Sequence, residues 1–261
     1  VNRSLPLVDR VALVSGGAQG IGFAIGARFA EAGARVFLLD RDEGAGTAAA
    51  AQLSAAHPQT PVEFVAADLL IPEQIERAMH ALRGAAGRID VLVNNAGIEV
   101  EQDFAATSVD TWDRVLGVNL RGAFLLTQMA LPLFPDTGGA IVNISSIHAT
   151  HAFVGSLPYA CSKAGLLALT RNLALELGPR HIRVNAICPG YVDTRLWDEY
   201  LRQAADPAAL AAATAALHPV GRRGVPPDVA EAALFLATDG AAFVTGTDLV
   251  VDGGLTIRAH P

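Results

Sequence analysis

Short aliphatic runs recur along this chain, each followed by a longer, alanine-rich stretch. VALVS (Val11–Ser15), RVFLLD (Arg35–Asp40) and VEFVAAD (Val62–Asp68) have the nearly continuous apolar character of strands covered on both faces. Between them, GIGFAIGARFAEAG (Gly20–Gly33) reads as a helix closing on a glycine. Further helices are expected over Glu43–Ala56 and Pro72–Leu82, the latter with proline in its first turn. The alternation continues through a strand DVLVNNAG (Asp90–Gly97), a long helix Trp112–Leu131 and a strand AIVNISS (Ala140–Ser146). A helix Tyr159–Leu177 and the strand IRVNAI (Ile182–Ile187) follow. An irregular region from Pro189 to about Val225, a helix Pro227–Leu236 and a strand DLVVDGG (Asp248–Gly254) complete the pattern. Such alternation predicts an α/β fold with a parallel sheet covered by helices on both faces. No linker, repeat or low-complexity tract divides the chain, so 1–261 is expected to be a single doubly wound domain.

Composition narrows the function classes. Hydrophobic residues make up 51% and charged residues 17%, ample material for a sizeable core. A formal charge of −7, with no basic run, argues against nucleic acid or an anionic membrane as the partner. Cys161 and Cys188 have no metal-ligand spacing around them; no metal is expected, although a disulfide between them stays open. The N-terminal stretch lacks a charged segment followed by a long apolar one, and no run of about 18 apolar residues is present. A cytoplasmic protein outside the membrane is expected.

The first strand-to-helix turn is SGGAQGIG. Gly16, Gly20 and Gly22, with Gln19 and Ile21 between them, would let backbone approach a pyrophosphate at a helix N-terminus, where free N–H groups and the dipole favour anions. Asp40, at the end of the second strand, can hydrogen-bond the adenosine ribose hydroxyls and repel a 2′-phosphate, which favours NAD over NADP. Arg41 beside it softens that preference, and Asp40 could instead cap the next helix. Asp68, with Leu69, is a candidate adenine contact or an N-cap. In NNAG, Asn94 suits structural support, and Asn95, Ala96 and Gly97 suit proximity to a cofactor.

Tyr159 and Lys163 are spaced i, i+4, so on a helix they share one face. An ammonium near a phenol favours the phenolate, the form a proton-transfer tyrosine needs. Ser146 stands thirteen residues earlier.

Taken together, the glycine turn, NNAG, Ser146 before Y-x-x-x-K, and Pro189–Gly190 resemble the short-chain dehydrogenase/reductase family, over essentially the whole chain. The resemblance implies a Rossmann-like domain with a sheet of about seven strands. It also implies roles. Tyr159 would be the general acid/base, Lys163 would lower its pKa and hold the nicotinamide ribose, and Ser146 would hydrogen-bond the substrate oxygen. Asn119 would hold a water leading from Lys163 to solvent. Pro189, Gly190, Val192 and Thr194 match the loop that covers the nicotinamide. A homotetramer is implied as well.

Substrate choice is expected in the loop after Ser146, with His148 and His151, and in a lid over 189–225, with Tyr191, Trp197, Asp198 and Tyr200. Glu99 and Val100 would line a third wall. Two imidazoles, an acid and aromatic rings suit a polyhydroxylated ring, although each alone could be a solvated rim. The LW…DP…HP layout resembles family members acting on sugars such as L-fucose and on hydroxysteroids. The expectation is an NAD-dependent dehydrogenase of a small-molecule sugar, polyol or cyclic alcohol. An NADPH-dependent ketone or 3-oxoacyl reductase and a catalytically silent NAD-binding protein are the alternatives.

Overall fold

The computed structural model describes residues 5–258. Seven strands form one parallel sheet: β1 Val11–Ser15, β2 Arg35–Asp40, β3 Val62–Ala66, β4 Val91–Asn94, β5 Gly139–Ile144, β6 Ile182–Pro189 and β7 Asp248–Val251. Their order is β3-β2-β1-β4-β5-β6-β7, and the single parallel sheet is what the alternating sequence pattern led one to expect. Register is in phase across the centre, with Leu13 beside Phe37 on one side and Leu92 on the other.

The sheet is buried on both faces because alternate residues feed two separate cores. Ala12, Val14, Val36 and Leu38 point to one, where they meet Ile25 and Phe29 of α1 (Gly20–Glu31), Leu53 of α2 (Glu43–Ala56) and Val229 of α9 (Pro226–Ala237). Leu13, Phe37, Leu39, Leu92 and Ile141 point to the other. There they pack on Ile75 and Leu82 of α3 (Pro72–Ala86), Leu126 of α5 (Gly122–Ala130) and Leu177 of α6 (Leu157–Leu177).

The structure departs from the sequence expectations in several places. The third and fourth strands stop at Ala66 and Asn94, so Asp68 and most of NNAG lie in loops. The helix expected over Trp112–Leu131 begins at Val109, capped by Ser108, whose hydroxyl accepts from Thr111 N–H at 3.1 Å. It is broken into α4 (Val109–Leu116), a π-turn at Gly117–Arg121 and α5. α3 runs one turn further than expected, ending where Gly87 adopts φ 73°. The region 189–225 is not irregular: α7 (Arg195–Gln203) and α8 (Pro207–Leu217) occupy it, and Asp206 caps α8 by accepting from Ala209 N–H at 2.9 Å.

The chain runs outward through β1, β2 and β3 and then returns to the opposite side of β1 as β4. At that reversal the loops leaving β1 and β4 diverge, opening a crevice at the carboxyl ends of the strands, where open α/β sheets bind ligands.

Candidate active site

A cavity of about 750 Å³ occupies that crevice. Its floor is the first turn. Gly16 has φ 64°, a conformation that favours glycine, and a Cβ there would stand 2.8 Å from Ala96 Cα. A Cβ on Gly22 would stand 2.1 Å from the Gly16 carbonyl oxygen. Gly22 therefore packs behind the turn, while Gly16, Gln19, Gly20 and Ile21 line the cavity. Ser15, which sequence reasoning passed over, stitches this turn to NNAG. Its Oγ accepts from the N–H groups of Asn95 (3.1 Å) and Ala96 (3.2 Å), and Asn95 Nδ2 donates to the carbonyls of Ser15 and Gly16 at 3.0 and 3.1 Å. Asn94 is structural: its Nδ2 donates to Thr127 Oγ1 and Asn143 Oδ1.

One end of the cavity is bounded by Asp40, Arg41, Asp68 and Leu69. Asp40 is not the helix cap; Asp42 is, accepting from Ala45 N–H at 2.9 Å. The Asp40 carboxylate instead accepts from Ala18 N–H and Asp42 N–H, both at 3.2 Å, which orients it beside the glycine turn. Asp68 is likewise no N-cap, since Ile71 holds that position; its Oδ1 accepts from Leu70 N–H at 2.9 Å. Arg41 is exposed and makes no hydrogen bond or ion pair among the described residues.

Ser146, Tyr159 and Lys163 meet at the other end. Ser146 follows β5. Its Oγ lies 3.1 Å from His148 Nδ1, accepts from His148 N–H at 3.2 Å and lines the cavity beside Tyr159. Pro158 in the first turn of α6 starts the helix two residues before Tyr159, so Tyr159 and Lys163 share a face, as their spacing led one to expect. Lys163 Nζ lies 5.4 Å from the Tyr159 ring centre and donates to the Ile144 carbonyl at 2.8 Å.

Burial dominates the electrostatics here. It pushes the Tyr159 phenol well above its usual range, with the Glu99 carboxylate adding to the rise and the nearby Ser146 hydroxyl opposing it. Burial brings the Lys163 ammonium down to about 8, with Glu99 opposing that fall. The lowering of the phenol by Lys163 that the spacing implied is not among the leading influences on Tyr159 in this structure, because both groups are desolvated together.

Asn119 does not line the cavity; it lies in the π-turn, 1% exposed. Its Oδ1 accepts from Ile98 N–H at 2.8 Å, and Nδ2 donates to the Ile98 carbonyl (2.9 Å) and Ser162 Oγ (3.0 Å). Both donors are thus committed to tying the loop after β4 to α6.

Pro189, Gly190, Tyr191, Val192, Thr194 and Trp197 form the wall on the β6 side. A bridge from Val192 to Gly224 and an ion pair from Arg223 Nε to Asp193 Oδ1 at 2.6 Å close the base of the α7–α8 segment. His148 stacks on Phe153 at 4.0 Å between ring centres and meets Tyr159 edge-on at 5.3 Å. Tyr191 stands edge-on to Trp197 at 5.5 Å. His151, one of the expected substrate residues, is exposed, bonded to Thr150 Oγ1 at 3.0 Å, and does not line the cavity. Asp198 does not line the cavity either, and the side chain of Tyr200 lies outside the described residues. Phe153 and Ser156 do line it and were missed; a phenylalanine and a serine in a loop carry no motif. Cys161 and Cys188 are both free, and among the described residues no group of His, Cys, Asp and Glu is placed to hold a metal ion.

Comparison with known proteins places these residues in a wide group. Residues 16–256 match the family model described as enoyl-(acyl carrier protein) reductase. The 3beta-hydroxysteroid dehydrogenase 1 of Eggerthella lenta is 40% identical over 255 residues, 96% of this chain and 95% of that protein. The 3-oxoacyl-[acyl-carrier-protein] reductase FabG of Chlamydia trachomatis is 36% identical over 260 residues, 95% of this chain and 98% of that protein. Among solved structures, the ligand-free aldohexose dehydrogenase of Thermoplasma acidophilum superposes with a TM-score of 0.89 at 33% identity, covering 99% of this chain and 98% of that one. The three names span a steroid, an acyl thioester and a sugar, so the substrate must be argued from the cavity wall.

Proposed function

The chain belongs to the short-chain dehydrogenase/reductase family of oxidoreductases, and from that premise we propose that it is an NAD-dependent dehydrogenase of a secondary alcohol on a sugar, polyol or cyclic alcohol. The observation that carries the reading is the pairing of Ser146 and Tyr159 in one cavity with Lys163, while the oriented carboxylate of Asp40 closes the other end.

The residues fit a dinucleotide. The turn Gly16–Ile21, which lines the cavity, would receive the pyrophosphate, and the N-terminus of α1 at Gly20 faces the same space. Asp40 takes the adenosine ribose hydroxyls, and Val192 and Thr194 hold the carboxamide end. When bound, NAD⁺ supplies the hydride acceptor. Ser146 donates to the substrate oxygen, and Tyr159 takes the carbinol proton at its phenolic oxygen. Lys163, with its Ile144 anchor, holds the nicotinamide ribose and supplies the positive charge that favours the phenolate. The α7–α8 segment acts as the lid, hinged where Arg223 meets Asp193. Copies assemble as a homotetramer, a reading supported by the exposed Leu175, Phe243 and Val250 near the β7 edge. Among the described residues no helix is long and apolar enough to cross a membrane.

A second reading, an NADPH-dependent ketone or 3-oxoacyl reductase, is favoured by Arg41, which lines the cavity with no protein partner among the described residues and suits a 2′-phosphate. The test follows reduced nicotinamide by absorbance with NAD⁺ or NADP⁺ over sugars, polyols, cyclic alcohols and hydroxysteroids, and the reverse reaction with ketones. NAD⁺-linked oxidation of a sugar or polyol is expected. Turnover confined to NADPH and ketones would replace the first reading with the second. Tight NAD binding with no turnover in either direction would remove both.

A further inference from the structure

Part of the cavity wall on the Tyr159 side is apolar or aromatic: Val100, Phe153, Val154, Tyr191 and Trp197. Into it projects the carboxylate of Glu99, and that carboxylate is held. Its Oε1 accepts from Ser156 Oγ at 2.8 Å, and Ser156 is itself only 4% exposed. His148 Nε2 lies 3.9 Å from the same oxygen. Just beyond, Gln102 N–H donates to the Gly155 carbonyl at 2.9 Å, and Glu101 packs so closely that a Cβ on Gly155 would meet its Cγ at 2.9 Å. The loop after β4 and the loop after β5 are therefore fastened together at Glu99, which is not a rim residue free to swing into water.

Its second oxygen is uncommitted: Oε2 has no hydrogen-bond partner among the described residues. Nor does His148 neutralise it, since burial brings that imidazole down to about 4 and leaves it uncharged at neutral pH. Glu99 is also the leading charge acting on both Tyr159 and Lys163, which places it beside the reacting centre. A fixed acceptor there has one chemical preference. It binds a ligand that brings a donor, and it penalises a C–H surface that would leave it buried and unpaired.

We propose that Glu99 is the specificity-determining residue of this site, its free carboxylate oxygen accepting a hydrogen bond from a substrate hydroxyl next to the carbinol that reacts. The inference rests on the dehydrogenase reading above and sharpens it: the site selects vicinal diols, as found in polyols and sugars, over mono-alcohols and over ring alcohols whose neighbouring carbons carry only hydrogen. The Ser156 bond fixes the direction of the acceptor and so sets which neighbouring hydroxyl it meets.

The experiment compares kcat/KM for matched pairs on one carbon frame: 1,2-cyclohexanediol with cyclohexanol, 2,3-butanediol with 2-butanol, and a hexose with its deoxy forms. The diol-to-mono-alcohol ratio is internally normalised, so general damage from a substitution cancels. In the wild type the ratio is expected to be about tenfold to a hundredfold, the worth of a hydrogen bond to a charged, partly buried acceptor. Glu99→Leu should bring it close to one. Glu99→Gln, which keeps the shape and an acceptor oxygen, should fall between and serves if the leucine variant does not fold. Ser156→Ala, which keeps the carboxylate but unpins it, should lower the ratio mainly through KM. A ratio near one in the wild type, or an unchanged ratio in both Glu99 variants, would overturn the assignment while leaving the dehydrogenase reading intact. Failure of the wild type to oxidise any of these alcohols with either nicotinamide would overturn that reading and this inference with it.

Discussion

Lys163 Nζ stands 5.4 Å from the centre of the Tyr159 ring and spends one of its protons on the Ile144 carbonyl at 2.8 Å. The helix spacing brings the two side chains to one face, and the end of β5 then fixes the ammonium. Neither group is comfortable in its charged form at this depth: the phenol is raised and the ammonium lowered. Each consequence can be measured.

Replacing the phenol tests proton transfer directly. In Tyr159→Phe only the reacting oxygen is lost, so kcat should fall by about 10² to 10⁴, while the dissociation constant for NAD⁺, read by protein fluorescence, changes little. Turnover within a few-fold of wild type would remove Tyr159 from the chemistry.

Lys163 carries a stability cost that its role justifies. Its pKa is ordinarily 10.5 and falls to about 8 in the fold, so between those values the unfolded chain binds the extra proton and stability rises with pH. Below pH 8 the full cost of the buried charge is present. Lys163→Met should therefore be inactive yet melt at or above the wild-type temperature at pH 6–7. The gain is on the order of 1 to 3 kcal/mol, reduced by the lost bond to Ile144, and should shrink as pH approaches 10. A variant less stable than wild type at neutral pH would show that the bond outweighs the burial.

Cofactor choice is expected to follow Asp40. Two backbone N–H groups orient its carboxylate, which would stand against a 2′-phosphate. Asp40→Ser, with Arg41 left beside it, should lower the NAD⁺ to NADP⁺ ratio of kcat/KM by tenfold or more, by removing a like-charge repulsion. Steady-state rates with both cofactors read this, and an unchanged ratio would assign the preference elsewhere.

Asn119 should behave as a structural fastener. Three hydrogen bonds join it to Ile98 and Ser162, and Asn119→Ala leaves the Ile98 amide unpaired in a half-buried loop. A loss of about 2 to 4 kcal/mol in chemical denaturation is expected. A loss under about 0.5 kcal/mol would mean that the loop holds without it.

Much of this site could be read along the chain because its parts are local. The glycine turn, the Asp40 strand end and the Tyr159–Lys163 spacing each depend on a few consecutive residues whose backbone geometry their own chemistry dictates. Reading failed where a contact joins distant segments. Nothing in the sequence separates His148 from His151, yet the turn after Ser146 puts one against Tyr159 and the other in water. The stretch Arg195–Leu217 is harder to read as two helices, because α7 is short and α8 is so rich in alanine that it has almost no apolar stripe, leaving Asp206–Pro207 as the main signal of its start.

The sequence alone thus determined the alternation of strand and helix, the parallel sheet and the shared helix face of Tyr159 and Lys163, since propensity, period-2 burial and i, i+4 spacing act over short distances. Only the tertiary structure decided that Asp42 rather than Asp40 caps α2, that Ser15 stitches β1 to NNAG, and that Ser156 pins Glu99 beside Tyr159 with one oxygen to spare. Those facts depend on which loops the packed sheet brings together and on how much water it excludes between them, and desolvation and long-range pairing are properties of the folded whole.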